Sequence, residues 1–264
     1  MGSIARSLVR RWRHAASAVK EVELRVAVLR RDVLDTQAEE LAQALDTVCG
    51  AAEQADPVAR EILGAVMPTL TDVTLVERFD ALRAIASAEA LLPLGRLLRR
   101  PRSSPEVRER SSTDERLLAT SRSGRVLTLG ERRALARRPS RAALDALMRD
   151  PHPLVIRNLL GNPRVTEDDV IRMAARRPVA TEVSVEIARH PRWSQRSRVR
   201  MALVQNPGSP PEIAVPLVRL LIRPELLQVA AAPDVPRQVR AAAAELLERR
   251  PPLAGKGKTA SLPQ

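Results

Sequence analysis

"VIRNLLGNPRVTEDDVIRMAARRP", residues 155–178, runs an apolar helical stretch into an Asn-Pro stop and opens a second helix within a few residues. Proline has no N–H and disfavours the helical region for the residue before it, so the first helix must end at or before Asn162. Asparagine suits that place, because it tolerates the left-handed conformation common at helix C-termini. Thr166 and Asp169 then have the spacing of a capping box and start the next helix.

The same tile recurs further along the chain. In "VRMALVQNP", Val199, Leu203, Asn206 and Pro207 stand where Val155, Leu159, Asn162 and Pro163 stand in "VIRNLLGNP". Weaker copies set an apolar residue four positions before a proline: Leu135 before Pro139, Ile187 before Pro191, Val229 before Pro233. Successive prolines at 139, 163, 191, 207 and 233 are 24, 28, 16 and 26 residues apart. One helix pair fits each gap except the short one, which fits a single helix. After Pro207 a fresh start is expected at Ser209, with Pro210 at the first helical position and Glu212 three residues after the cap. Helices this short with one apolar face are unstable alone, so neighbours must stack to bury a shared core, which is the logic of an α-solenoid.

The segments "VIRNLLGNP…TEDDVIRMAARRP", "EIARHPRW" and "RVRMALVQNPGSPPEIAVPL" resemble the HEAT-like and leucine-rich-repeat-variant class of helical repeats of bacterial proteins, over residues 129–250. The resemblance implies an all-α fold with a short α-solenoid of stacked antiparallel helices, and binding surfaces in place of a reaction. Some leucine-rich-repeat-variant proteins carry a cysteine-ligated iron–sulfur module. A chain whose single cysteine is Cys49 departs from that pattern, so no cofactor is expected.

Before the repeats, Val19, Val22, Val26, Leu29 and Val33 recur at helical spacing, and Leu34, Ala38, Leu41, Leu45 and Val48 continue the seam after a one-residue slip. A slip of this kind points to a helix bent around, or broken into, a small bundle, with a long coiled coil as the alternative. "DPVAREILGAVMP" offers Asp56 as N-cap with Pro57 at the first helical position, and Thr74 with Glu77 has capping-box spacing. The organisation expected is a helical N-terminal domain over 1–98, a flexible Arg/Ser/Pro linker over 99–125, a HEAT-like repeat domain over 126–250 and a disordered tail over 251–264.

Composition narrows the function classes. The net charge of +13 comes from 44 basic and 31 acidic residues, and only Lys20, Lys256 and Lys258 among the basic ones are lysines. Residues 1–100 hold 14 of each sign, which leaves 30 basic against 17 acidic residues in the remainder. That excess admits a nucleic-acid partner, although arginine with abundant Ala, Val, Leu and Pro is also what a GC-rich genome encodes. No apolar stretch approaches the roughly 20 residues needed to span a bilayer. A lone cysteine and no secretory leader fit a cytoplasmic setting.

Candidate chemistry is sparse. His190 precedes Pro191 where other copies have asparagine, His152 lies between Pro151 and Pro153, and His14 sits in a basic segment; no two have metal-pair spacing. Glu167, Asp168 and Asp169 fall in the first turn of a helix, where carboxylates oppose the helix dipole. No catalytic residue and no metal site is expected. The candidate partner-binding patch is "RHPRWSQRSRVR": Arg189, Arg192, Arg196, Arg198 and Arg200 around Trp193. Guanidinium forks bind carboxylate or phosphate bidentately, whereas Trp193 can equally plug the gap between two helices. Single-stranded nucleic acid is normally gripped by several aromatic platforms, and one Phe, two Trp and no Tyr are too few. The partner expected is therefore a protein, with nucleic acid as the alternative. A third possibility is peripheral membrane contact, through the basic amphipathic pattern of residues 1–20, where Ile4, Leu8 and Trp12 alternate with arginines. If the tile is framed correctly, Leu159→Ala and Leu203→Ala each cost about 2–5 kcal/mol in denaturant unfolding; losses below about 0.5 kcal/mol for both would show the frame to be wrong.

Overall fold

The structure, a computed structural model, describes residues 2–100, 118–120 and 123–250. Those residues are helical apart from loops and one isolated bridge between Thr120 and Val126. Most of the expected linker and the whole expected tail lie outside the described residues. The described end of the linker segment is packed: Ala119 is buried, and its carbonyl accepts from Leu127 N–H at 2.9 Å.

The first six helices are α1 (Ser3–Ala18), α2 (Val22–Asp35), α3 (Ala38–Glu53), α4 (Pro57–Leu70), α5 (Val76–Ala88) and α6 (Leu92–Leu97). Helix α3 is central and touches α1, α4, α5 and α6. The slip in the apolar seam becomes a break at Thr36 and Gln37, so that Val26, Leu29 and Val33 bury from α2 while Leu41, Leu45 and Val48 bury from α3. Leu34, at the slip, is left exposed. Leu8 and Trp12 of α1 face into this bundle, and the indole N–H of Trp12 donates to Asp32 at 2.8 Å. The apolar side of the basic helix is thereby used in packing, with Ile4 its only large apolar side chain exposed.

Asp56 caps α4 as its spacing requires, accepting from Val58 and Ala59 N–H at 2.9 and 3.1 Å. Thr74 does not cap α5. Asp72 accepts both the N–H and the hydroxyl of Thr74, at 3.0 and 2.8 Å, and opens a 3-10 turn over Val73–Leu75 that leads into α5.

Among the described residues nine helices follow: α7 (Leu129–Ala136), α8 (Arg141–Leu147), α9 (Pro153–Leu160), α10 (Glu167–Ala175), α11 (Thr181–Arg189), α12 (Ser197–Gln205), α13 (Pro211–Val218), α14 (Arg223–Ala231) and α15 (Arg237–Arg249). Helices α7, α9, α11, α12 and α14 end two or three residues before Pro139, Pro163, Pro191, Pro207 and Pro233, and only the gap from 191 to 207 holds a single helix. The capping box of Thr166 and Asp169 forms. The start near Ser209 moves on by one residue, with Pro210 as cap and Pro211 first in α13, and Ser209 is buried.

Contacts join most chain neighbours (α7 to α8, α8 to α9, α10 to α11, α11 to α12, α12 to α13 and α14 to α15), and they also join α7 to α9, α9 to α11, α11 to α13, α13 to α15, α10 to α12 and α12 to α14. The asparagines of the tile make two of these next-but-one pairings. Asn162, after α9, donates from Nδ2 to the carbonyls of Ala136 and Arg138 at the end of α7, at 2.7 and 2.9 Å. Asn206, after α12, donates to Ala174 and Arg176 at the end of α10, both at 2.7 Å. Each amide oxygen accepts a backbone N–H two residues on, from Arg164 and from Gly208. Pro178 brings no N–H to the Ala174 carbonyl, so the side chain replaces a bond that the helix itself cannot make. Two other residues fill the same role. The Trp193 indole, after α11, donates to Leu160 at the end of α9 at 2.8 Å, and Arg250, after α15, donates to Arg219 and Leu221 beyond α13.

The two helical segments share one continuous core that runs from Ala5 to Leu246. At their junction Glu53, at the end of α3 and 5% exposed, accepts from Arg96 at 2.8 Å and from Arg219 at 2.9 Å. Arg250 reaches Ala52 across the same joint. Burial lowers the pKa of both Arg219 and Arg250, the latter to about 10. A second tie begins with Pro68 inside α4. Its missing N–H leaves the Gly64 carbonyl without an intrahelical partner, and the Gln195 amide, between α11 and α12, donates to that carbonyl at 2.5 Å. A Cβ on Gly64 would stand 2.6 Å from the Gln195 amide oxygen, so the glycine permits this approach.

Asn206→Ala would leave two buried carbonyls and one N–H short of a partner, at about 1–3 kcal/mol for each group that water cannot reach. Urea unfolding is expected to show a loss of at least about 2 kcal/mol. Asn206→Asp, which keeps the acceptor and removes the donor, is expected to lose a similar amount; an unchanged midpoint for both variants would remove the cap from the account of the fold.

Candidate functional site

The five arginines of "RHPRWSQRSRVR" do not form one free patch. Trp193 is 1% exposed and fills the space between α9 and α11. Arg189 turns inward and donates to the Thr71 carbonyl at 2.8 Å, joining the repeats to the N-terminal helices. Arg200 also turns inward, to the carbonyls of Ser194 and Gln195 at 3.4 and 2.6 Å, and burial lowers its pKa. Arg196 and Arg198 stay exposed beside Glu167 and Asp168, at 4.0 and 3.0 Å. Arg192 lies over the Trp193 ring, 4.4 Å from its centroid, and has no carboxylate partner among the described residues. Two of the five arginines therefore position the backbone, two are ion-paired at the surface, and Arg192 presents its charge outward.

The acidic cluster of α10 divides in the same way. Asp169 takes part in the capping box, accepts from Arg141 at 2.6 and 2.8 Å, and also pairs with Arg172; the Arg141 guanidinium is the main cause holding its carboxyl well below the usual range. Glu167 and Asp168 are the partners of Arg196 and Arg198 just described.

The histidines are placed as helix-end residues. His152 caps α9, its Nδ1 accepting from Leu154 N–H at 3.2 Å, while its own N–H donates to Asp150. Asp150 is fully enclosed with Arg132, at 3.0 Å. His14 is exposed on α1. His190 is packed beside Trp193, with ring centroids 6.2 Å apart, and does not make the carbonyl bonds of Asn162 and Asn206 because the Trp193 indole occupies that place. Burial is the main cause that pushes the His190 pKa down to about 4; Arg192 acts in the same direction and Glu23 and Glu186 against it. Cys49 is buried in α3, and burial pushes its thiol up.

Two depressions lie at the junction. A cleft of about 70 Å3 between α4 to α6 and α11 to α13, bounded by Met67, Phe79, Leu97, Ile213 and Leu217, has room for little more than water. An open groove of about 610 Å3 runs along α5, α6 and α15, with Leu91, Leu92 and Leu98 in its floor. Its arginines are held by carboxylates: Arg83 and Arg100 by Asp80, Arg96 by Glu53, Arg99 and Arg249 by Glu245. Among the described residues no group of His, Cys, Asp and Glu is placed to hold a metal ion, and no helix is long and apolar enough to cross a membrane.

No family model, no curated protein and no solved structure matches this chain. The site therefore stands on its own geometry, and that geometry adds residues to the candidate patch. Arg137, Arg138 and Arg164 are exposed in the loops after α7 and α9, again with no carboxylate partner among the described residues. A signal for Arg164 was present in the tile: Asn162-Pro163-Arg164 and His190-Pro191-Arg192 place an arginine directly after the proline in two copies.

The His190 shift sets a pH dependence. Its folded pKa of about 4 lies below the ordinary value of 6.5, so the unfolded chain binds more protons between those values. Its contribution is fully present above about pH 6.5 and is lost as pH falls toward about 4. Thermal melts of wild type are expected to decline through that window, and His190→Asn to flatten the decline; an equal slope in both proteins would assign it to other groups.

Proposed function

We propose that residues 126–250 form a short HEAT-like α-solenoid and that the protein is a non-enzymatic adaptor that binds another macromolecule, foremost a protein. The observation that carries this reading is the next-but-one tie between helices, in which Asn162, Trp193, Asn206 and Arg250 each bind the end of the helix two back. Repetition of that tie builds an extended edge from successive loops, the type of surface by which stacked repeats bind partners. The N-terminal helices brace the stack through Glu53 and Gln195.

A protein is favoured over single-stranded nucleic acid because Trp12, Phe79 and Trp193, the three aromatic side chains besides histidine, are at most 3% exposed and offer no base a platform. Backbone-only contact with a duplex is the second reading, favoured by the net charge of +13 and its concentration after residue 100.

Affinity capture of the full chain from its native cell, with cross-linking and with or without nuclease, tests the choice. Protein partners retained after nuclease are expected. Their loss on nuclease treatment, together with tight, steeply salt-dependent binding of duplex DNA by the purified chain, would replace this reading with the duplex one.

A further inference from the structure

Helices α7, α9 and α11 end along one edge of the stack. The tie from Asn162 to the Arg138 carbonyl, at 2.9 Å, sets the loop after α9 against the loop after α7. The tie from Trp193 to the Leu160 carbonyl, at 2.8 Å, sets the loop after α11 against the end of α9. Each of these loops carries exposed arginine with no carboxylate partner among the described residues: Arg137 and Arg138, then Arg164, then Arg192. A helix C-terminus favours a nearby cation, which explains how such charges are tolerated there unpaired. It leaves their outward capacity unused.

We propose that this arginine ladder is the docking edge for an acidic helix of a protein partner, whose carboxylates repeat about every seven residues. The proposal rests on the adaptor reading and assigns it a surface and a ligand chemistry. The spacing supports it. Packed helices lie about 8–10 Å apart, so the rungs of the ladder do too. Seven residues of an α-helix rise about 10.5 Å, so one carboxylate per heptad meets one rung. Guanidinium forks bind carboxylates in planar, bidentate pairs. A duplex fits this edge less well. Its strands carry a phosphate for about every 3.4 Å of axis, so about two in three would find no rung. The uninterrupted negative charge would also run over Glu167 and Asp168, which lie beside Arg196 and Arg198 at the start of α10 and α12, on the same edge. A peptide with widely spaced carboxylates can step past them.

The test uses the full chain and three fluorescent probes: a helical peptide with glutamate at every seventh position, a peptide of the same composition with the glutamates grouped together, and a short DNA duplex. Binding is read by anisotropy at low and at physiological salt. The spaced peptide is expected to bind best, and a triple variant, Arg137→Glu with Arg164→Glu and Arg192→Glu, to weaken it by about tenfold or more. A control with Arg149→Glu and Arg237→Glu, both exposed at the opposite edge and without carboxylate partners among the described residues, is expected to leave binding unchanged. Circular dichroism verifies that each variant folds, and the milder Arg164→Gln should weaken binding in the same direction if the triple variant does not fold. Equal binding of the two peptides, equal loss in the triple and control variants, no binding of either peptide, or tighter binding of the duplex through the same arginines would each overturn the proposal. Undiminished capture of nuclease-resistant partners by the triple variant would sink the ladder and leave the adaptor reading standing.

Discussion

Everything in the second half of the chain depends on one recurring bond, a side-chain donor that follows a helix and satisfies the last carbonyls of the helix two back. A helix end leaves carbonyls without partners, and burying them unsatisfied would cost more than a short apolar face returns. Asn162 and Asn206 remove that cost and, in doing so, fix the distance and rotation between stacked helices. Where asparagine is absent the need persists and other chemistry meets it: an indole N–H from Trp193 and a guanidinium from Arg250. The requirement is for a donor at a place, and three residue types supply it.

The same economy explains why a chain rich in arginine holds little free positive charge around Trp193. Arg219 is held by the buried Glu53 carboxylate, while Arg189, Arg200 and Arg250 serve as donors to backbone carbonyls inside the molecule. Their fork reaches two acceptors at once, which suits the crowded ends of antiparallel helices. What composition records as net charge is therefore divided between internal scaffolding and the outer edge.

The punctuation of the fold was legible, because proline and capping residues act locally. The five prolines mark five helix ends, and the break between α2 and α3 shows as a slip in the apolar seam. The Thr74 box failed because Asp72, two residues earlier, competes successfully for the same N–H and hydroxyl. The fate of the arginine cluster was not legible. Whether Arg189 faces solvent depends on the Thr71 carbonyl, more than a hundred residues away in the chain, and no local pattern encodes that meeting. Equally, the continuity of the core across the junction is invisible along the sequence, where an Arg/Ser/Pro stretch separates its two contributors.

Pro68 and Gln195 show what such distant meetings mean for the history of the chain. A proline in the last turns of a helix is ordinarily a defect, but here the vacancy it opens at Gly64 is filled by an amide from the other half of the molecule. Were residue 68 to drift to a common helix former, the restored N–H would compete for that carbonyl, and the glutamine would lose much of its reason to be there. Positions 64, 68 and 195 thus form one structural set, in which a change at any one alters the bond that the other two make possible.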